Sequence, residues 1–181
     1  MIAVPTLRTA RLILGGFRSE DAAELQRLAG AREIADTTLR IPHPYRLDDA
    51  LTWIKRQNRQ AVANDIANFA LRLIPTGQLI GCVGLRDIEA QHRQAELGFW
   101  IGVDWWGRGY AREAARAVIR FGFETLDLNR ICAHHMTRNP ASARVLQAVG
   151  MQREGVLRQR VQKWGVYEDV VLYAVLRDEW R

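Results

Sequence analysis

Residues 95–123, AELGFWIGVDWWGRGYAREAARAVIRFGF, constrain the fold more than any other part of the chain. An apolar, strand-like run breaks at Gly102, a loop crosses Asp104-Trp105-Trp106-Gly107-Arg108-Gly109, and a helix opens at Tyr110. Positions 111, 115, 118, 122 and 126 then carry small or apolar residues at helical spacing. A strand feeding a helix across a glycine-punctuated loop gathers free N–H groups and the positive end of a helix dipole at one point. That geometry suits a phosphate-bearing ligand, and it also describes a tight turn with no ligand. Gly107 and Gly109 would keep the backbone bare where phosphate oxygens approach, and Arg108 and Arg112 could add charge-assisted contacts. Arg112, Arg116 and Arg120 repeat every four residues, however, as one solvated helix face would.

The flanking segments supply the rest of a sheet. Residues 11–17 predict a first strand, Ser19 an N-cap for a helix over about 20–29, and Gly30 its end. Residues 31–46 show no period, with Pro42 and Pro44 marking a loop. Asp48 reads as the cap of a helix over about 49–61, with Leu51, Trp53 and Ile54 facing inward. Residues 68–74 and 78–85 form a hairpin around Pro75-Thr76-Gly77, and a polar connection at 86–93 leads to a strand at 94–102. A further strand is predicted at 130–136, then a helix starting at Asn139-Pro140 with Gly150 just past its end. Residues 156–176 close the chain as a hairpin turning near Trp164-Gly165. This order gives about seven strands in a mixed, mostly antiparallel sheet flanked by about four helices. It is an α/β (α+β) fold, read as a single domain over residues 1–181.

Composition narrows the function classes. An apolar fraction of 48% with 25% charged residues describes an ordinary soluble protein. No apolar run approaches the roughly 20 residues that span a bilayer. The opening MIAVPTLRTARL lacks the layout of a secretory signal, so a cytoplasmic protein with no membrane partner is expected. Cys82 and Cys132 sit in strand-like runs and read as buried free thiols. No Cys/His/Asp cluster has ligand spacing, so no metal is expected. His134 and His135, adjacent on a strand, must point to opposite faces. The net charge of +6 suits a polyanionic ligand, an acidic partner or nucleic acid without choosing among them. Its arginines are dispersed rather than striped, a weak signal for nucleic acid.

Four motifs in order resemble the GNAT acetyltransferase superfamily. Its loop pattern is Gln/Arg-x-x-Gly-x-Gly/Ala; here the segment stands as Trp106-Gly107-Arg108-Gly109-Tyr110-Ala111. Trp at the first position resembles the RimJ/RimL-type branch, in which YWGKGYA-like loops are common. AELGFWIG, Asn139-Pro140-Ala141-Ser142 and YEDVVLYAVLRDEW agree with that branch, as does the opening LRTARLILGGF. The resemblance runs from about residue 7 to residue 181.

The resemblance implies an acetyl-CoA site formed by Trp100, Ile101, Gly102, Val103, Trp106, Gly107, Arg108, Gly109, Tyr110, Ala111, Arg112, Asn139 and Ser142. The strand ending at Gly102 would splay from its neighbour and admit the pantetheine arm. A free N–H near Trp100 or Ile101 would then meet the thioester carbonyl. Gly98 and Gly102 equally suit a plain bulge. Glu96, matching the family's AEL glutamate, is the candidate base, directly or through water. Read alone, it is also a carboxylate available to any of many arginines. Many GNAT enzymes place a tyrosine acid seven residues after the Asn, where this chain has Leu146. The branch uses the serine three residues after the Asn, so Ser142 is the candidate acid. Asn139 and Ser142 also fit a simple helix start. His43 and Tyr45, in the proline loop, are candidates for the acceptor side.

The expected activity is direct transfer of acetyl from acetyl-CoA to a primary amine, without an acetyl-enzyme. The branch suggests a protein N-terminal amine such as that of a ribosomal protein. An acetyltransferase for small amines or antibiotics is the alternative, as is a non-catalytic acyl-CoA-binding sensor. The apolar final strand and Trp180 fit either a homodimer contact or the finish of the sheet.

Overall fold

The strand expected over residues 11–17 is a pair. In the computed structural model, which describes residues 4–62 and 66–181, β1 (Leu7–Arg8) turns back as β2 (Leu12–Gly15). The Thr9 hydroxyl ties the turn by accepting from the Leu12 amide at 3.0 Å. A short 3-10 turn, Ser19–Asp21, leads into α1 (Ala22–Ala29). Ser19 is not the cap: the Asp21 carboxylate takes the Arg18 amide at 2.7 Å and is also held by Arg72 at 2.6 Å.

One helix was not foreseen, α2 (Arg32–Thr37), which is too short to show a period but buries Ile34 and Ala35. α3 (Leu47–Val62) begins before Asp48, because Asp49 closes its first turn by accepting from the Arg46 amide at 2.8 Å. Ile54 faces inward as expected, while Leu51 and Trp53 are half-buried.

The meander is β3 (Ile66–Leu73), β4 (Leu79–Glu89) and β5 (Gln94–Ile101); β4 runs on through much of the expected connection. Next come α4 (Tyr110–Glu124), β6 (Arg130–Met136) and α5 (Pro140–Ala148). β7 (Gln152–Lys163) and β8 (Val166–Leu176) form the closing hairpin, turning at Trp164 and Gly165, which both have positive φ.

These strands make one eight-stranded sheet in the order β1-β2-β3-β4-β5-β6-β8-β7, in which β5–β6 is the parallel pair. α4 covers one face: Gly122 lets it settle against Ile131 and Leu85, where a Cβ would come within 3.0 Å of both side chains. On the other face α3 reaches β3 through Gln57, whose oxygen accepts from Asn68 at 2.5 Å. Phe69 and Phe121 meet edge to face at 5.5 Å, joining the sheet to α4; each such buried side chain contributes about 1.5–3 kcal/mol.

β8 is interior, paired with β6 on one side and β7 on the other. Trp180 packs on Phe123 at 6.0 Å, under the Arg116 guanidinium. The final strand therefore lies inside the sheet, with β7 at its edge, and Trp180 packs back on α4. Among the described residues no helix is long and apolar enough to cross a membrane.

Candidate active site

β5 and β6 pair only from Gln94↔Arg130 to Glu96↔Cys132, after which β6 stays with β8 and β5 with β4. The sheet opens between them. A cavity of about 710 Å³ fills the opening, walled by Leu25, Trp53 and Arg56 from the helices on one face. Arg86, Trp100 and His134 supply the strand wall, and Asn139 and Ser142 the start of α5. The Gly102 amide donates to Ile80 on β4 at 2.8 Å. Alternation along the ladder turns the Trp100 amide toward β4 as well, and the Phe99 and Ile101 amides toward the gap. Of the two amides expected near a thioester, Ile101's faces the opening.

The loop after β5 is braced from within. Trp105 is buried, and the Trp106 indole N–H donates to the Ile101 carbonyl at 2.6 Å. The Trp106 amide is used as well, by Val103 at 3.1 Å. From Gly107 through Gly109, Tyr110, Ala111 and Arg112 the amides have no protein acceptor among the described residues. Gly107 and Gly109 hold φ of +74° and +78°, a region that favours glycine, and a Cβ on Gly107 would meet nothing within 4 Å. The side chains of Val103, Arg108 and Arg112 are exposed, with Arg112, Arg116 and Arg120 on the outer face of α4.

Arg11 and Glu113 fix this loop from outside. The Arg11 guanidinium lies 4.5 Å above the Tyr110 ring, grips Glu113 at 2.6 Å and donates to the Arg108 carbonyl at 3.0 Å. Burial would raise the Glu113 carboxyl. The Thr9 hydroxyl, the Arg11 amide and the Arg11 guanidinium outweigh it and hold the group below the usual carboxylate range.

At α5, Asn139 is the N-cap: its side-chain oxygen accepts from the Ser142 amide at 3.2 Å. Its amide nitrogen donates to Ser142 Oγ at 3.0 Å, which leaves the Ser142 hydroxyl hydrogen free to donate into the cavity. Leu146, where a tyrosine would stand, is buried.

Glu96 is held by Arg86, its cross-strand partner on β4, and its Oε1 lies 3.3 Å from His134 Nδ1. Its side chain is only 15% exposed, so it is no surface carboxylate. Burial, and then the charges of Arg86, Arg160, Arg40 and His135, push the His134 imidazole below its ordinary value. His135 turns to the opposite face, stacks near Tyr173 at 5.7 Å, and places Nδ1 2.7 Å from the Met136 carbonyl. Burial pushes the Cys82 thiol up to about 12 and also raises Cys132, so neither is a ready thiolate nucleophile.

Tyr45 lines the cavity, its phenol pushed up to about 12 by burial and by the nearby Asp49 charge. His43 is not brought there. It lines a separate shallow groove with Gln26, Arg27 and Pro44, beside the Trp164 ring at 6.4 Å.

Arg11, Arg86 and His134 were not singled out as site residues by sequence. Adjacent on a strand, His134 and His135 point to opposite faces, yet both line the cavity, because it passes through the opened sheet; only His134 stands beside Glu96.

Residues 11–152 match the family model described as an acetyltransferase (GNAT) domain. The uncharacterized N-acetyltransferase p20 of Bacillus licheniformis is 30% identical over 97% of this chain and 98% of its own length. The [ribosomal protein uS5]-alanine N-acetyltransferase of Escherichia coli is 34% identical over 57% of this chain and 54% of its own. Among solved structures, spermidine N-acetyltransferase from Vibrio cholerae in complex with CoA and spermine superposes with a TM-score of 0.81. It is 25% identical, covering 94% of this chain and 98% of that one.

Proposed function

The chain belongs to the GNAT acetyltransferase family, and from that premise we propose that it moves the acetyl group of acetyl-CoA directly onto a primary amine. Residues 1–181 act as a single catalytic domain in this reading. The observation that carries it is the run of unpaired amides at 107–112, at the helix end of a strand that has left its neighbour.

These residues fit the donor. Two glycines with bare, positive-φ backbone let a pyrophosphate approach, and the α4 N-terminus adds its dipole. The pantetheine arm runs between β5 and β6, where the Ile101 amide stabilises the oxyanion as the amine attacks. The Ser142 hydroxyl, with its oxygen already hydrogen-bonded by Asn139, gives its proton to the leaving thiolate. Glu96, on the acceptor side, drives removal of the amine proton. The side chains of Arg108 and Arg112 stand where phosphate can recruit them from solvent.

The acceptor we favour is a protein N-terminal amine, as in the RimJ/RimL-type branch. At pH 7 an α-amine with a pKa near 8 is neutral in about a tenth of molecules, against about one in 2,500 for a lysine amine. A site with one weak base is better matched to the first. The uS5-alanine relative supports this acceptor, whereas the Vibrio cholerae relative acts on spermidine.

The test is thiol release from acetyl-CoA against a panel of amines: alanine-first peptides, lysine peptides and spermidine. Release that depends on an alanine-first peptide is the expected result. Release with spermidine alone moves the acceptor to small amines. Tight acetyl-CoA binding with no acceptor-dependent release would make the chain a sensor and overturn the proposal.

A further inference from the structure

Register places four chemically active side chains on one face of the opened sheet. Arg86 faces Glu96 across β4–β5, and Glu96 faces Cys132 across β5–β6, which puts His134 on the same side one alternation further on. An amine entering the cavity meets Arg86 and His134, which line it, while Glu96 lies behind them. Arg86 cannot accept a proton. The Glu96 carboxylate is already engaged by Arg86, and taking a proton there would leave that cation facing a neutral acid.

Glu96 Oε1 stands 3.3 Å from His134 Nδ1, and because a carboxylate can only accept, it favours the tautomer with the hydrogen on Nδ1. Nε2 then carries the lone pair. We infer that His134 is the catalytic base that touches the acceptor amine, and that Glu96 is a positioning residue fixing its tautomer and ring. This rests on the acetyltransferase reading and changes which atom of the site receives the proton.

The balance is simple. The amine nitrogen forms a bond to the acetyl carbon, the carbon–sulfur bond breaks, and its electron pair leaves with sulfur. One proton passes from nitrogen to His134 Nε2, and one reaches sulfur through the Ser142 hydroxyl, which solvent and the imidazolium re-protonate. No oxidant or further reactant is needed.

The charges around His134 suit a base that starts neutral. Glu96 faces it from β5, Arg86 from β4, Arg160 from β7 and Arg40 from the segment after α2; Cys132 and His135 flank it on β6. β8 places Leu172 opposite it, and α3 adds Asp48, Asp49 and Arg56 to the same cavity. Burial and then the arginines hold the ring below its ordinary value, and Glu96, 3.3 Å away, steadies the imidazolium that forms.

The test uses the full chain, acetyl-CoA and an alanine-first peptide or spermidine, whichever the wild type acetylates. His134→Gln should lower kcat at least a hundredfold at pH 7, leave the KM for acetyl-CoA within threefold, and remove the lower acid-side ionisation from the kcat/KM profile, leaving that of the acceptor amine. Imidazole should restore part of the rate to His134→Ala. In the ligand-free protein, nitrogen-15 NMR should show His134 as the Nδ1–H tautomer, and Glu96→Gln should lose that preference. A retained rate with both acid-side ionisations unchanged in His134→Gln, or an Nε2–H tautomer in the wild type, would overturn the inference alone. No acceptor-dependent thiol release by the wild type would overturn the acetyltransferase reading and this inference with it.

Discussion

Two glycines in different turns separate the cost of a backbone shape from the contribution of a ligand contact. Gly107, in the loop before α4, has φ of +74°, and Gly77, in the β3–β4 turn, has φ of +69°. A Cβ on either would meet nothing within 4 Å. Alanine should therefore destabilise both by the same backbone term, about 1–2 kcal/mol. For a chain of this size that lowers Tm by about 2–8 °C. The two differ only in what approaches from outside. At Gly107 the new methyl stands where a phosphate oxygen must reach the loop amides, and one lost hydrogen bond to a charged group costs about 1.5–3 kcal/mol. Calorimetric titration with CoA should show Gly107→Ala weakened by about tenfold to 150-fold, with Gly77→Ala within threefold of wild type. Equal Kd values for Gly107→Ala and wild type would refute the phosphate cradle. An equal loss in both variants would mean that the effect is general destabilisation.

Three further outcomes follow from the same geometry. Ser142→Ala removes a hydroxyl but keeps the backbone amide that Asn139 caps, so kcat should fall about tenfold or more with Tm nearly unchanged, whereas Asn139→Ala should cost about 1 kcal/mol of stability in urea unfolding. Glu113 has a depressed carboxyl, so its stabilisation is full above the ordinary 4.5 and is lost as pH falls through the lower folded value. The stability gap between wild type and Glu113→Gln should accordingly be largest near pH 7 and close in strong acid; a gap independent of pH would contradict the pairing with Arg11. Arg86→Met strands the Glu96 carboxylate in the wall and should lower Tm by several degrees, while Arg86→Met combined with Glu96→Leu should recover most of the loss.

Local patterning made much of this molecule legible. The glycine loop, the helical spacing of α4, the Asn-Pro start of α5 and the Trp164-Gly165 turn are short-range signals, and each element lies where they place it. The α2 helix was hidden because six residues show no period. The site was half legible for a related reason. Amides at 107–112 follow from the loop's own residues, but the Arg86–Glu96 pair depends on hairpin register and an irregularity between Arg86 and Glu89. Which of His134 and His135 stands beside Glu96 depends on the parallel register Glu96↔Cys132, set across all of α4 rather than by any turn. Arg11 reaches the loop from 102 positions away in sequence to bind Glu113, a contact no local pattern encodes.

The central claim is that the loop and the opened sheet together hold acetyl-CoA with its thioester against the acceptor cavity. A crystal structure of the chain with CoA tests it most directly. The account predicts pyrophosphate oxygens in hydrogen-bond reach of the amides between Gly107 and Arg112, and the CoA sulfur between β5 and β6, near Ser142 and open to the His134 side of the cavity. CoA bound elsewhere, or those amides left without phosphate, would contradict it.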